Sequence, residues 1–336
     1  MKMGDISIIN KENFCPRVIT TIKVGSNIGF NYGANAYYEK NDILISCPSN
    51  SSIYFIEYDK KKQKLMDIQK SIDSSVVQMS YCTKTSTYLM GCAKGHIYAY
   101  DAIKKKLRQL NKHCDKYVLA ICHINHTMYA FSCDKTNDIF FSSTNNRIRT
   151  IPQYSKNSYA WYLHHDDQQK LLYAGLANGN MIIYNTNIER QLNTKYLSKN
   201  PPKYRLISCI QAHTFGKYVT AIKTITINKQ QYIVTGGNDQ AIKIFKNMNG
   251  KLKLLKVIQN ERGISNIAYL EHYKMIAVTQ HDNYIKFYTL PFGKLRLQFN
   301  ANLTKIRSMF LMNNKNCIGV ADLDKNLIKI IQLNSP

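Results

Sequence analysis

The chain has 336 residues, of which 44% are hydrophobic, and its formal net charge is +25. This apolar content is enough to build one large core or two ordinary ones, which excludes a disordered chain. No stretch approaches the about 18 uncharged apolar residues of a membrane-spanning helix, and residues 1–5 lack the apolar core of a signal peptide.

The nine cysteines are scattered from Cys15 to Cys317 without a CxxC pair. This pattern favours a reducing compartment, so we expect a cytoplasmic or nuclear protein. The basic charge comes from 37 lysines and only nine arginines. A composition rich in lysine and asparagine often reflects AT-rich coding DNA, and arginine is the better residue for bidentate phosphate recognition. The charge still attracts anionic partners at low salt.

One pattern recurs along the whole chain: an apolar run ends in a small residue, a short polar turn follows, and the next run alternates apolar with polar residues. In chain order the copies centre on residues 45–56, 90–100, 132–142, 174–184, 233–245, 278–288 and 321–331. Their last residues are separated by 44, 42, 42, 61, 43 and 43 positions. The alternation predicts strands, and a period in the forties that holds four strands is typical of propeller blades. We therefore predict an all-β, seven-bladed β-propeller that forms a single domain over residues 1–336.

The two ends of the chain and one long interval complete this prediction. The last copy ends too close to residue 336 for a fourth strand, and residues 17–24 form an unassigned strand-like segment before the first copy. We expect residues 17–24 to complete the last blade, because shared ends hide the sheet edges of an open ring. The long interval predicts an insertion over residues 187–217, where Pro201 and Pro202 exclude a regular central strand.

The fifth copy carries the clearest family signature. Ala212-His213 stands where WD-repeat proteins have Gly-His, the segment from Thr235 to Asp239 resembles their Ser-Gly-Ser-x-Asp turn, and Phe245 occupies the usual Trp position. The chain thus resembles a WD-repeat protein over nearly its full length. The resemblance implies that His213, Thr235, Asp239 and Phe245 form the internal hydrogen-bond network of a blade, shortened because Phe245 lacks an indole N–H. It also implies a subunit or adaptor role in a larger assembly.

A second, more local resemblance concerns residues 173–179 with Ala160-Trp161 just upstream. They are similar to the propeller of RING-finger ubiquitin ligases with WD repeats. No paired CxxC or CxH ligands of a RING are present in the chain. The resemblance implies an alternative function, a substrate-recognition propeller whose catalytic module is a separate chain.

The sequence contains little evidence of catalysis, metal binding or nucleotide binding. Thr235, His213 and Asp239 could be mistaken for a hydrolase triad, but no nucleophile elbow surrounds Thr235. Cys122 and His123 have the chemistry of metal ligands, yet neighbours on a strand point to opposite faces, so they cannot converge on one ion. Neither a phosphate-binding glycine motif nor a convincing pair of acidic residues is present. We expect no enzymatic activity, no metal and no cofactor.

A set of cations and aromatics is placed for binding. The cations directly precede first strands of blades, whose loops converge around the central channel, and the aromatics lie close by. The set comprises Lys116, Tyr117, Tyr159, Trp161, Lys217, Tyr218, Arg262 and Lys305. Such a surface suits an acidic or phosphorylated peptide. We therefore predict a non-enzymatic scaffold or adaptor that binds protein partners through this face. A nucleic-acid-associated subunit that uses the basic surface is a further alternative.

Overall fold

The structure is a computed structural model, and its description covers most of the chain. The described residues are 14–23, 34–38, 43–47, 53–58, 63–66, 72, 74–82, 84–112, 114–143, 148–152, 158–186, 206–248, 251–322, 324–325 and 327–333. Strands dominate these ranges. The helical elements within them are two short 3-10 turns, Glu271–Tyr273 and Asn313–Lys315.

Six antiparallel sheets are each built from four consecutive strands. Sheet one contains β2 (Ala34–Tyr38), β3 (Ile43–Cys47), β4 (Tyr54–Tyr58) and β5 (Gln63–Met66). Sheet two contains β6 (Val76–Cys82), β7 (Thr87–Cys92), β8 (His96–Asp101) and β9 (Lys106–Lys112). Sheet three contains β10 (Val118–His123), β11 (Met128–Cys133), β12 (Asp138–Ser143) and β13 (Ile148–Pro152). Sheet four contains β14 (Ala160–Asp166), β15 (Leu171–Leu176), β16 (Asn180–Asn185) and β17 (Leu206–Gln211). Sheet five contains β18 (Val219–Ile227), β19 (Gln230–Gly237), β20 (Ala241–Met248) and β21 (Lys251–Gln259). Sheet six contains β22 (Ile264–Leu270), β23 (Met275–Gln280), β24 (Tyr284–Thr289) and β25 (Lys294–Asn300).

The seventh sheet joins the two ends of the chain. It contains β26 (Ile306–Met312), β27 (Cys317–Asp322) and β28 (Leu327–Gln332), and its outer strand is β1 (Arg17–Lys23). β1 and β28 are antiparallel, with Arg17 opposite Gln332 and Lys23 opposite Leu327. Ile22 points into the apolar layer beneath this sheet and is 3% exposed.

The sheets form a ring. The first strand of each sheet contacts the first strands of its two neighbours, and β2 closes the circle because it contacts both β26 and β6. Among the described residues, the apolar core is divided into seven clusters, one between each pair of adjacent sheets. A sheet therefore buries both faces only when both neighbours are present. This architecture is a β-propeller.

Adjacent sheets approach closely at the small residue that stands one position before the end of the second strand. A Cβ on Gly91 would lie 2.5 Å from Val118, one on Gly175 2.8 Å from Val219, and one on Gly236 2.5 Å from Ile264. In each case the partner side chain belongs to the first residue of the next sheet. The small residue of the sequence repeat is thus a packing requirement between sheets.

The structure narrows the predicted insertion. Residues 187–205 lie outside the described residues, so the structure says nothing about them. Residues 206–211 are not part of a loop but form β17, the outer strand of sheet four. Within β17, Ile210 pairs with Met181 in regular register.

One covalent link was not expected from the cysteine pattern. Cys114, just before β10, and Cys133, at the end of β11, form a disulfide with their Cα atoms 6.0 Å apart. The other seven cysteines are free, and five of them are buried. Sequence spacing could not reveal the pair, because only the β10–β11 hairpin brings the two residues together.

We predict that deletion of residues 1–25 destabilises the whole ring. The deletion removes β1, exposes the edge of β28 and uncovers the apolar layer around Ile22. Thermal unfolding should show a fall in the melting temperature of at least about 5 °C. Deletion of residues 1–13 retains β1 and is the matched control. Equal melting temperatures for the two deletions would contradict the role of β1.

Candidate functional site

A β-bulge recurs at the start of the first strand in six sheets. In each, the register shifts directly after the first strand residue, which leaves one residue unpaired. The six bulged residues are Val77, Leu119, Trp161, Thr220, Ser265 and Arg307. A bulge redirects a side chain that regular pairing would hold within the sheet.

All six bulged residues line one cavity of about 600 Å³. Because they come from six different sheets around the ring, the cavity lies at its centre. We call the side on which first strands begin the upper side, and this cavity the upper mouth. The fold therefore delivers one side chain from each of these sheets to a shared site, and the identity of those side chains sets its chemistry.

Sheets three to five supply an aromatic wall to the upper mouth. The ring centroids of Trp161 and Tyr218 are 4.7 Å apart and stacked, and that of Tyr159 lies 6.3 Å from Trp161 and 6.4 Å from Tyr218. All three side chains are half-buried. Burial raises the pKa of Tyr159 to about 12, helped by its hydrogen bond with Tyr218 and by the nearby carboxylate of Asp134. The Tyr159 phenol is therefore neutral at physiological pH, and the three rings offer apolar faces with polar rims.

Sheets six and seven supply the opposite, basic wall. His281 and Arg307 both line the upper mouth. Desolvation lowers the pKa of His281, and the charges of Arg307 and Lys305 lower it further, against a smaller opposing effect of Asp282. These three basic side chains therefore lie close enough to influence one another. An anion bound among them would offset the positive charges of Lys305 and Arg307.

The predicted residues are divided between the mouth and its rim. Tyr117, Trp161 and Tyr218 line the cavity, and Tyr159 contacts the last two. The four predicted cations do not line it. Lys116, Lys217, Arg262 and Lys305 are all exposed in the loops before first strands.

The face predicted to be basic also carries acidic side chains. Exposed Asp115 precedes Lys116, exposed Glu261 precedes Arg262, and Asp134 lines the cavity itself. The upper side is thus mixed in charge, and its cationic character is concentrated beside sheets six and seven. Sequence reasoning missed His281 and Arg307 there. The signal that could have found Arg307 is its position, which is equivalent to that of Trp161 in another copy of the repeat.

The predicted network of sheet five is a buried structural element. His213 Nδ1 lies 2.8 Å from Asp239 Oδ1, and its Nε2 lies 2.9 Å from Thr235 Oγ1. The second carboxylate oxygen of Asp239 accepts a hydrogen bond from the Thr214 N–H at 2.9 Å. Phe245 takes no part in this hydrogen bonding and packs in the core between sheets four and five. No attacking group is exposed here, because His213 and Thr235 are both 0% exposed.

Sheet six contains a counterpart made of different residues. Tyr288 donates its hydroxyl proton to Asn260 Oδ1 at 2.7 Å, and Gln280 Nε2 donates to the same oxygen at 2.9 Å. Tyr288 thus supplies the ring donor that Phe245 lacks. The sequence did not reveal this network because it contains neither the histidine nor the tryptophan of the family pattern.

Two half-buried histidines, His123 and His164, tie neighbouring sheets together. Burial lowers the pKa of His164 to about 3, and its Nε2 lies 2.9 Å from Thr224 Oγ1 in the next sheet. Burial likewise lowers the pKa of His123 to about 4, and its Nδ1 lies 3.1 Å from Ser80 Oγ in the preceding sheet. No group of three metal-ligating side chains occurs among the described residues. Within those same residues, no helix has the length and apolarity to cross a membrane.

Comparison with known proteins identifies the fold of the chain but no protein family. No protein-family model and no curated protein sequence matches the chain. Among solved structures, a chain of the "Crystal Structure of Mitotic Checkpoint Complex" is similar with a TM-score of 0.76 and 13% sequence identity, over 96% of this chain and 97% of that chain. The class of protein is therefore a β-propeller, and at this identity the likeness concerns the fold alone.

We predict that Asp239→Asn destabilises the protein in a pH-dependent way. Burial raises the pKa of Asp239, but hydrogen bonds from His213, Thr214 and Ala241 outweigh it and hold the pKa below its usual range. A depressed carboxyl pKa contributes stability above the unfolded value near about 4, and this contribution is lost as the pH falls. Denaturant unfolding should show a loss of roughly 1–3 kcal/mol at pH 7 and a smaller loss at pH 3.

Asp167→Asn is the matched control for this experiment. Asp167 forms an exposed ion pair with Lys170 at 2.7 Å, so its replacement should cost less than about 0.5 kcal/mol. A loss for Asp239→Asn that stays the same from pH 7 to pH 3 would rule out the charged form of Asp239 as its source.

Proposed function

We propose that this protein is a non-enzymatic interaction scaffold or adaptor, and that a segment of a partner protein binds at the upper mouth. The observation that carries the proposal is the convergence of six bulged side chains, one from each of six sheets, on one cavity of about 600 Å³. A binding site assembled in this way is held by the whole ring, so it is formed before the partner arrives.

The ring is best understood as a seven-bladed propeller of the WD-repeat type, closed by the N-terminal strand. Seven four-stranded sheets, the β1–β28 pairing and a core cluster at every sheet boundary support this reading. The blades satisfy their own backbone hydrogen bonds, so the loops on the rim are free to contact several partners. A partner in a multi-subunit assembly would meet a preformed surface.

The two walls of the upper mouth define the partner's chemistry. Tyr159, Trp161 and Tyr218 offer aromatic surface that would cover an apolar or extended backbone segment. His281, Lys305 and Arg307 would meet a carboxylate or phosphoryl group on the same segment. We therefore propose an acidic or phosphorylated peptide that places its anion beside sheets six and seven and its apolar part beside sheets three to five.

Catalysis is not part of this proposal. The triad-like His213, Thr235 and Asp239 are engaged with one another in the interior of sheet five. The half-buried His123 and His164 are likewise paired with hydroxyl groups of neighbouring strands. We propose a cytoplasmic or nuclear location, which the seven cysteines without a disulfide support and the Cys114–Cys133 link counts against.

We predict that Trp161→Ala removes the partner without unfolding the ring. Trp161 is half-buried and lines the mouth, so truncation removes contact area from the binding wall rather than from a sheet core. Affinity purification from the native cell at two salt concentrations should recover a small set of salt-resistant proteins with the wild type. The variant should recover them at least about tenfold less well.

Phe292→Ala is the control, because Phe292 is 75% exposed and lies in the β24–β25 turn, away from the upper mouth. It should recover the same partners as the wild type, and both variants should keep the wild-type melting temperature. Undiminished recovery with Trp161→Ala would overturn the proposed site. Recovery of nucleic acid alone, lost at the higher salt, would show that the net charge dominates and would overturn the scaffold.

A further inference from the structure

A second cavity opens on the lower side of the ring, opposite the upper mouth. It has a volume of about 580 Å³ and lies where sheets five, six and seven meet. Its rim carries the exposed residues Glu271, His272 and Asn313 of the two 3-10 turns. We call it the lower cleft. The proposed function makes no use of it.

Sheet five contributes one side chain to the lower cleft, that of Lys223 in β18. Its two neighbours in the strand make contacts outside the cleft. Ile222 is buried in the core between sheets four and five, and the Thr224 hydroxyl lies 2.9 Å from His164 Nε2. Lys223 is held in place by these contacts and directed toward the cleft. Burial lowers the pKa of its amine.

Lys223 lacks an anionic partner in the part of the chain that the structure describes. No described side chain or carbonyl forms an ion pair or hydrogen bond with its amine. Its charge lowers the pKa of His164, a base that cannot act as its counter-ion. Lys223 is half-buried, and an uncompensated charge in a poorly solvated site is costly. An anion in the cleft would provide that compensation.

The other walls limit the kind of anion. Leu311 presents apolar surface, and Tyr269 and Tyr273 add aromatic surface, whereas the lining residues Met312 and Leu333 are almost fully buried. A single ammonium matches one negative charge, and Glu271 on the rim disfavours a second. The cleft therefore suits a monoanion attached to an apolar body, with the charge innermost.

We propose that the lower cleft binds a carboxylate carried on an apolar body, with the Lys223 ammonium as its counter-ion. Two sources share this chemistry: a free organic acid, and the C-terminal residue of a polypeptide that ends in apolar side chains. The proposal does not depend on the upper mouth or on its partner.

The test uses decanoate as the free acid and a hexapeptide ending in Leu-Phe with a free carboxyl group as the polypeptide terminus. Titration calorimetry on the full chain should show binding of at least one of these probes, and the one that binds identifies the source. Decanol and the same peptide with an amidated terminus should bind at least tenfold more weakly. Lys223→Met should reduce affinity for the carboxylate probe at least tenfold.

Lys243→Met is the matched control, because Lys243 is a half-buried lysine of the same sheet that does not line the lower cleft. It should bind the probe like the wild type. Should Lys223→Met fail to fold, the wild type alone provides the second measurement: bound carboxylate should raise the pKa of the Lys223 amine in NMR titration, since a nearby anion favours its charged form.

Three results would overturn the proposal. The first is binding of neither carboxylate probe. The second is equal binding of the carboxylates and their uncharged analogues, which would make the cleft a simple apolar surface. The third is bound carboxylate without any change in the pKa of Lys223, which would place the anion elsewhere.

Discussion

The contact between the second strand of one sheet and the first strand of the next is the constraint on which the ring depends. The penultimate residue of every second strand is small: Ser46, Gly91, Ser132, Gly175, Gly236, Thr279 and Ala321. At Gly91, Gly175 and Gly236 the next sheet approaches so closely that a Cβ would have to displace it. Ser132 uses the closeness differently, since its Oγ donates to the Ala160 carbonyl of the next sheet at 2.7 Å.

This contact connects the core to the site. Because each apolar cluster is shared by two sheets, stability accumulates only as sheets are added and the ring is closed. The same first strand that packs on the small residue carries the bulge one position later, and the bulged side chain points to the central axis. Ile264 and Ser265 show both roles in sequence: Ile264, which is 0% exposed, packs against Gly236, and the bulged Ser265 beside it lines the upper mouth.

The sequence could reveal the repeat because strand alternation and turn position are local signals. It could also reveal Trp161, Tyr159 and Tyr218, since they surround the starts of first strands. Arg307 was overlooked because nothing local distinguishes a bulged residue from its neighbours. The acidic residues Asp115, Glu261 and Asp134 share the upper side with the predicted cations, so that face is mixed in charge. The Cys114–Cys133 link and the isolation of Lys223 depend on which strands face each other, and that is settled only by the folded ring.

A double-mutant cycle at Gly236 and Ile264 tests the central contact most directly. Gly236→Ala should cost roughly 1–3 kcal/mol of unfolding free energy by overpacking, and Ile264→Ala roughly 2–5 kcal/mol by loss of buried volume. If the two residues meet as described, the second substitution makes room for the first. The double variant should then be more stable than the sum of the single losses by at least about 0.5 kcal/mol. Strictly additive losses would contradict the account, because they would mean that the small residue does not set the spacing between sheets.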